Sequence, residues 1–115
     1  MKVFRVETPT GNGPYRHAAV GYELCGRHGG TVHHPGPFND EDSNGDNLMR
    51  HLWQNKSYVF GFASLEQLLA WFIEELELLA QHGFIVSVYE SSQFVCGKFQ
   101  VIFIKESGPV ETIKL

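Results

Sequence analysis

The rhythm of hydrophobic and polar positions changes along this chain, and each change predicts an element. Residues 2–7, KVFRVE, alternate: Phe4 and Val6 fall on one face, Val3, Arg5 and Glu7 on the other. That is the pattern of a strand, and Pro9 ends it. From 8 to 47 the pattern gives way to turn chemistry, with eight glycines and Pro9, Pro14, Pro35 and Pro37. This stretch predicts a long, loop-rich segment with at most a short strand or helix around 17–25. Ordered loops of such length tend to carry function.

The second half is regular. Residues 57–62, SYVFGF, predict a strand. Ser64 then opens a helix, and Gln67 three places on completes a capping box. Leu65, Leu68, Leu69, Phe72, Leu76 and Leu79 recur at helical spacing, with Glu66, Glu74 and Glu77 mostly on the other side. Gly83 supplies the stop, so the helix runs from about 64 to 82. Two β-prone runs, 84–90 FIVSVYE and 99–105 FQVIFIK, predict an antiparallel hairpin joined by SSQFVCGK, and PVETIKL adds an edge strand. The expected class is α+β, a mostly antiparallel sheet packed against one long helix, with a loop-rich N-terminal half.

Composition narrows the picture. A chain of 115 residues makes a single domain spanning 1–115, and a 43% hydrophobic share with nine Phe is ample for a packed core. The formal charge is −4, and the nine Lys and Arg are scattered. No direct nucleic-acid binding is expected from such a surface. No apolar run is long enough to span a bilayer, and MKVFRVETP lacks the apolar core of a signal peptide. The reading is therefore cytoplasmic, with no membrane contact. In a reducing compartment Cys25 and Cys96, far apart in sequence, are expected as free thiols.

Three stretches offer chemistry. The acidic run 40–47, DEDSNGDN, contains D-x-D-x-N-G, the opening half of a calcium loop, with Asp40, Asp42 and Asn44 at the ligand positions. The twelfth position is His51, which cannot supply two hard oxygens, so a hydrated, mobile acidic loop is expected instead. Cys25, His28, His33 and His34 are of zinc-binding type, but their spacing matches no standard finger and no metal is expected. The turn TGNGPYRH presents Tyr15 and Arg16, either as an anchor for a phosphate, base or protein partner, or with Tyr15 packed and Arg16 in water.

Read in order, FRVETPTGNGPYR, HPGPFND, YVFGFASLEQLLAWF and GKFQVIF resemble small phage- or prophage-encoded proteins of uncharacterised function. The same order distantly resembles the ADP-ribosyltransferase superfamily. That resemblance implies Arg5 as the residue gripping NAD, Ser64 at the strand-to-helix junction, and Gln100 where the transferase pattern wants a catalytic Glu. Neutral Gln cannot stabilise positive charge developing in the sugar. Glu90, at the end of the preceding strand, is the substitute, though out of place. Arg5 also shares a face with Glu7, and an ion pair between them is an equal reading.

Two functions follow as expectations. The favoured one is a phage accessory factor of anti-defence type, without a cofactor, that binds and inhibits a host protein or complex through the host's basic surface. The alternative is an NAD-using transferase or a degenerate nucleotide-binding relative. There Arg5, Tyr15, Arg16 and His34 line a cleft, and Asp40 sits on a flexible lid.

Overall fold

The structure is a computed structural model and describes residues 1–28 and 34–115. Its centre is a strand with neighbours on both sides. Strand β1 (Lys2–Glu7) pairs antiparallel with β3 (Ile85–Glu90), and β3 pairs antiparallel with β6 (Glu111–Lys114). A second antiparallel sheet has β5 (Val101–Phe103) between β2 (Val59–Gly61) and β4 (Phe94–Cys96). The two sheets meet at one backbone bridge, with Phe4 and Phe62 exchanging N–H···O bonds of 2.8 and 2.7 Å.

Four helices lie among the described residues: α1 (Val20–His28), α2 (Leu48–Gln54), α3 (Leu65–Trp71) and α4 (Leu76–Gln81). The alternation of β1 decides how they pack. Val6, with Val86 of β3, faces a core built from Val20 and Leu24 of α1, Leu68 and Trp71 of α3, Leu79 of α4, and Phe62, Phe72 and Phe84. On the opposite face Val3 and Tyr89 pack against Val101 and Phe103 of β5, so the second sheet folds over the first.

The α+β class and the antiparallel pairing agree with the sequence pattern, as do the edge strand β6 and the cap of α3. Ser64 Oγ accepts the Gln67 N–H at 3.1 Å. Gly83 takes φ +79° just beyond α4, a conformation that favours glycine. Two expectations need correction.

The predicted hairpin of 84–90 with 99–105 does not form. Strand β3 is buried along most of its length and takes β1 and β6 as partners, while β5 pairs with β4, which lies inside the expected loop. The chain is turned away after β3 by Ser91, whose hydroxyl bonds the Gln93 and Ile104 carbonyls at 3.1 and 3.0 Å.

The single long helix over 64–82 is also broken, at residues 72–75. Residue 75 continues the buried stripe of Leu68, Phe72 and Leu79, yet it is Glu, and it is 1% exposed. Its N–H bonds Phe72 O at 2.8 Å, so Trp71 O is left without its helical partner.

The N-terminal half keeps its loops: helix α1 is the short element expected around 17–25, extended to His28, and α2 starts behind Asn47, whose side chain caps it by accepting the Arg50 N–H at 3.0 Å.

Gly61 stands where the two sheets cross. A β-carbon there would lie 2.5 Å from Val3 Cγ1 and 3.0 Å from Phe103 Cε1 and Phe4 O. Gly61→Ala is therefore expected to destabilise the fold by about 2 kcal/mol through overpacking. The urea midpoint measures this, with the slope unchanged.

Candidate functional site

The acidic run is built into the structure rather than left in water. Asp40 is fully buried, and its carboxylate accepts the backbone N–H groups of Lys98 (2.5 Å), Phe99 (3.2 Å) and Gln100 (2.8 Å) in the β4–β5 turn. The expected mobile lid at Asp40 is corrected accordingly. A carboxylate loses its hydration only where donors replace water, and here three backbone donors do so. Asp42 accepts the N–H of Asn44 (2.9 Å) and Asp46 (3.0 Å) and the Nε2 of His51 (2.8 Å). The His51 contact, with the two backbone bonds, holds its carboxyl below the usual range. Thus His51, which stands where a calcium loop needs a bidentate Glu, points a nitrogen at the loop.

A second polar cluster joins α1 to the break between α3 and α4. His28 Nε2 meets Glu75 Oε1, and the Tyr15 hydroxyl lies 2.7 Å from His28 Nδ1. Trp71 Nε1–H donates to the same hydroxyl at 2.7 Å. Burial pushes His28 below its ordinary value of 6.5, against the upward pull of Glu75. A neutral His28 donates from Nε2 to the carboxylate and accepts the Tyr15 proton at Nδ1. The chain of bonds runs Trp71 to Tyr15 to His28 to Glu75. Glu75 Oε2 has no hydrogen-bond partner among the described residues. His34 completes the cluster, stacking on His28 with ring centroids 3.7 Å apart and bonding the freed Trp71 carbonyl at 2.7 Å. Burial also pushes the Tyr15 phenol upward. The arrangement holds protons in place and makes Tyr15 a poor nucleophile.

The residues assigned by the transferase resemblance have other contacts. Arg5 donates from Nε to Glu7 (2.9 Å) and from a terminal nitrogen to Phe60 O (2.7 Å), so the ion-pair reading holds. Ser64 caps α3, and the backbone N–H of Gln100 binds Asp40. No hydrogen bond among the described residues connects Arg5, Ser64 and Gln100. Arg16 is exposed at the end of a short 3-10 helix, Pro14–Arg16, whereas Tyr15 turns its hydroxyl inward. Among the described residues no group of three or more His, Cys, Asp or Glu could hold a metal ion. Cys25 and Cys96 are exposed free thiols, and His33 lies outside the described residues.

Sequence reasoning missed Glu75, although a carboxylate inside the apolar stripe of a helix is a readable signal. It also missed Phe38 and Trp53. These are 57% and 69% exposed, and their rings meet edge to face at 5.8 Å. Met49 N–H of α2 donates to Pro37 O at 3.2 Å and holds the two aromatic segments together. The acidic hairpin, closed by the Glu41–Asn47 bridge, leads directly into α2. No helix among the described residues is long and apolar enough to cross a membrane.

Two crossing antiparallel sheets, buried polar clusters and an exposed aromatic pair define a small α+β protein. The chain belongs to the bacteriophage T4 Y00F protein family, whose model matches residues 1–115. No curated protein and no solved structure matches it. The family supports the phage part of the sequence resemblance and lends none to the transferase part.

The buried cluster has a pH signature. His28 is depressed in the folded state, so its contribution to stability is complete above about 6.5 and is lost as pH falls toward the folded value. Glu7, Asp42 and Glu106 are also depressed, from 4.5, 3.8 and 4.5, and act only in a more acid window. The urea midpoint is expected to drop as pH falls below about 6.5, and His28→Gln to flatten that drop.

Proposed function

We propose that this phage protein binds and inhibits a host protein complex through the face that carries Phe38 and Trp53. The observation that supports this is the exposed aromatic pair beside a rigid acidic hairpin. Two large aromatic rings in water are costly to a protein that uses them for nothing, and such residues dominate interface energetics once buried.

The hairpin gives the face a rim. Glu41 is exposed, and Asp42 and Asp46 stand beside it, while Asp42's turn and the anchored Asp40 fix the backbone. A rim ordered before binding loses less entropy on association. Asp42 is bonded to His51 and Asp46 to Arg50 at 2.9 Å, which leaves Glu41 as the hairpin carboxylate without an ion pair among the described residues. With that group and a net charge of −4, the fitting partner carries a basic surface around an apolar hollow. Inhibition then follows from occupying a surface that the complex needs for another acidic ligand.

The test pairs capture with activity. Wild-type protein is used to isolate its host complex, and affinity is then measured for the wild type, Phe38→Ala and Trp53→Ala. Each truncation is expected to cost about 2 kcal/mol, roughly thirtyfold in Kd, with the fold retained because both rings are exposed. The isolated complex is expected to lose activity on adding wild-type protein. Unchanged affinity in the double variant, or unchanged activity of the complex, sinks the proposal.

A further inference from the structure

A cavity of about 360 Å³ lies on the polar face of the first sheet, away from the aromatic pair, with Ser87, Thr112 and Lys105 among its lining residues and loops at Thr10–Gly11 and Ser107–Pro109 as its rim. The strand register builds this face. Arg5 stands opposite Ser87 and Ser87 opposite Thr112; Glu7 stands opposite Ile85 and Ile85 opposite Lys114. The face thus carries Arg5, Lys114 and the nearby Lys105 against the single carboxylate of Glu7.

That carboxylate is used up internally. Glu7 Oε1 accepts from Arg5 Nε and Lys105 Nζ, both at 2.9 Å, and Oε2 accepts the Tyr89 hydroxyl at 2.5 Å. Burial pushes Glu7 upward, but hydrogen bonds from Tyr89, Lys105 and Ser87 outweigh it and keep the group ionised. Tyr89, pushed upward by burial, stays a neutral phenol. Lys105 and Glu7 line the cavity, and Arg5 bonds Glu7 from beside it, so the three-residue cluster carries one cation in excess.

Lys105 is aimed by its surroundings. It spends one N–H on Glu7 and one on Gly11 O at 3.1 Å, and lies 5.2 Å from the centre of the Tyr89 ring. An ammonium has three donors, so one is left for a ligand. Gly11, at φ +91°, makes this approach possible, since a β-carbon there would lie 3.2 Å from Lys105 Nζ.

The geometry points to a binding site for the phosphoryl group of a small molecule, held by Lys105 with the Thr112 and Ser107 hydroxyls. An ammonium and hydroxyls contributed to one lining by separate segments suit a tetrahedral oxyanion, and a bound anion offsets the positive excess of the Arg5–Glu7–Lys105 cluster. The volume is near the lower end of small-molecule pockets, which fits a metabolite-sized ligand rather than a polymer.

The test is an amide NMR titration with inorganic phosphate, against sodium chloride at matched ionic strength. Saturable shifts are expected at Ser87, Ser107, Gly108 and Thr112 with phosphate alone. Lys105→Met is expected to weaken binding at least about tenfold. Thr112→Val, at an exposed position that leaves the Glu7 network intact, is expected to weaken it about fivefold. Shifts that never saturate, that appear equally with chloride, or that persist unchanged in Thr112→Val overturn the site. A parallel titration with glycerol 3-phosphate decides the source. Tighter binding than inorganic phosphate marks a phosphate ester as the ligand, and equal or weaker binding marks free phosphate.

Discussion

Much of the molecule's arrangement depends on the contact between His28 and Glu75. A carboxylate with almost no exposure survives only with a partner of its own, and the imidazole at the end of α1 is that partner. This one demand orders several others. The chain bends at 72–75 to bring Glu75 inward, and the bend releases the Trp71 carbonyl. His34 takes that carbonyl and stacks on His28. Tyr15 and Trp71 then close the remaining polar atoms around the imidazole. Removing one partner of such a pair leaves the other buried and uncompensated, which is why the cluster behaves as a unit.

The same logic recurs at two other carboxylates. Asp40 gathers the backbone of the β4–β5 turn, and Glu7 gathers Arg5, Tyr89 and Lys105 from three separate segments. Each ties distant chain to a fixed point through charge-assisted bonds, which are stronger than neutral ones. The fold thus has apolar cores on both faces of β1, with buried carboxylates fastening separate segments around them. This division separates rigid scaffold from presented surface: Phe38 and Trp53 are left outward on a backbone that Asp40 and Asp42 hold still.

Local features were legible in the sequence because local physics produces them. The alternation of KVFRVE gave both the strand and the face shared by Arg5 and Glu7. Ser64 with Gln67, and Gly83, marked the two ends of the helical region through capping and backbone conformation alone. What was not legible depended on partners far away in the chain. Nothing near FIVSVYE says that it sits between KVFRVE and ETIK, because a strand's neighbours are chosen by burial across the whole fold. Asp40 reads as a hydrated acidic turn until the N–H groups of Lys98 to Gln100 are brought to it. Glu75 lay on the apolar stripe in plain view, but its meaning required His28, almost fifty positions earlier.

The outer strands carry one more consequence. Among the described residues the first sheet ends at β6 and the second at β4, and an unpaired strand edge is a template on which another chain can add its own strand. The two edges are guarded differently. Strand β6 is flanked by charge, with Glu111 and Lys114 at its ends. Strand β4 carries exposed Phe94 and no charge, but it is only three residues long and runs straight into the Asp40-bound turn. Charge guards one side and shortness the other against the addition of a further strand.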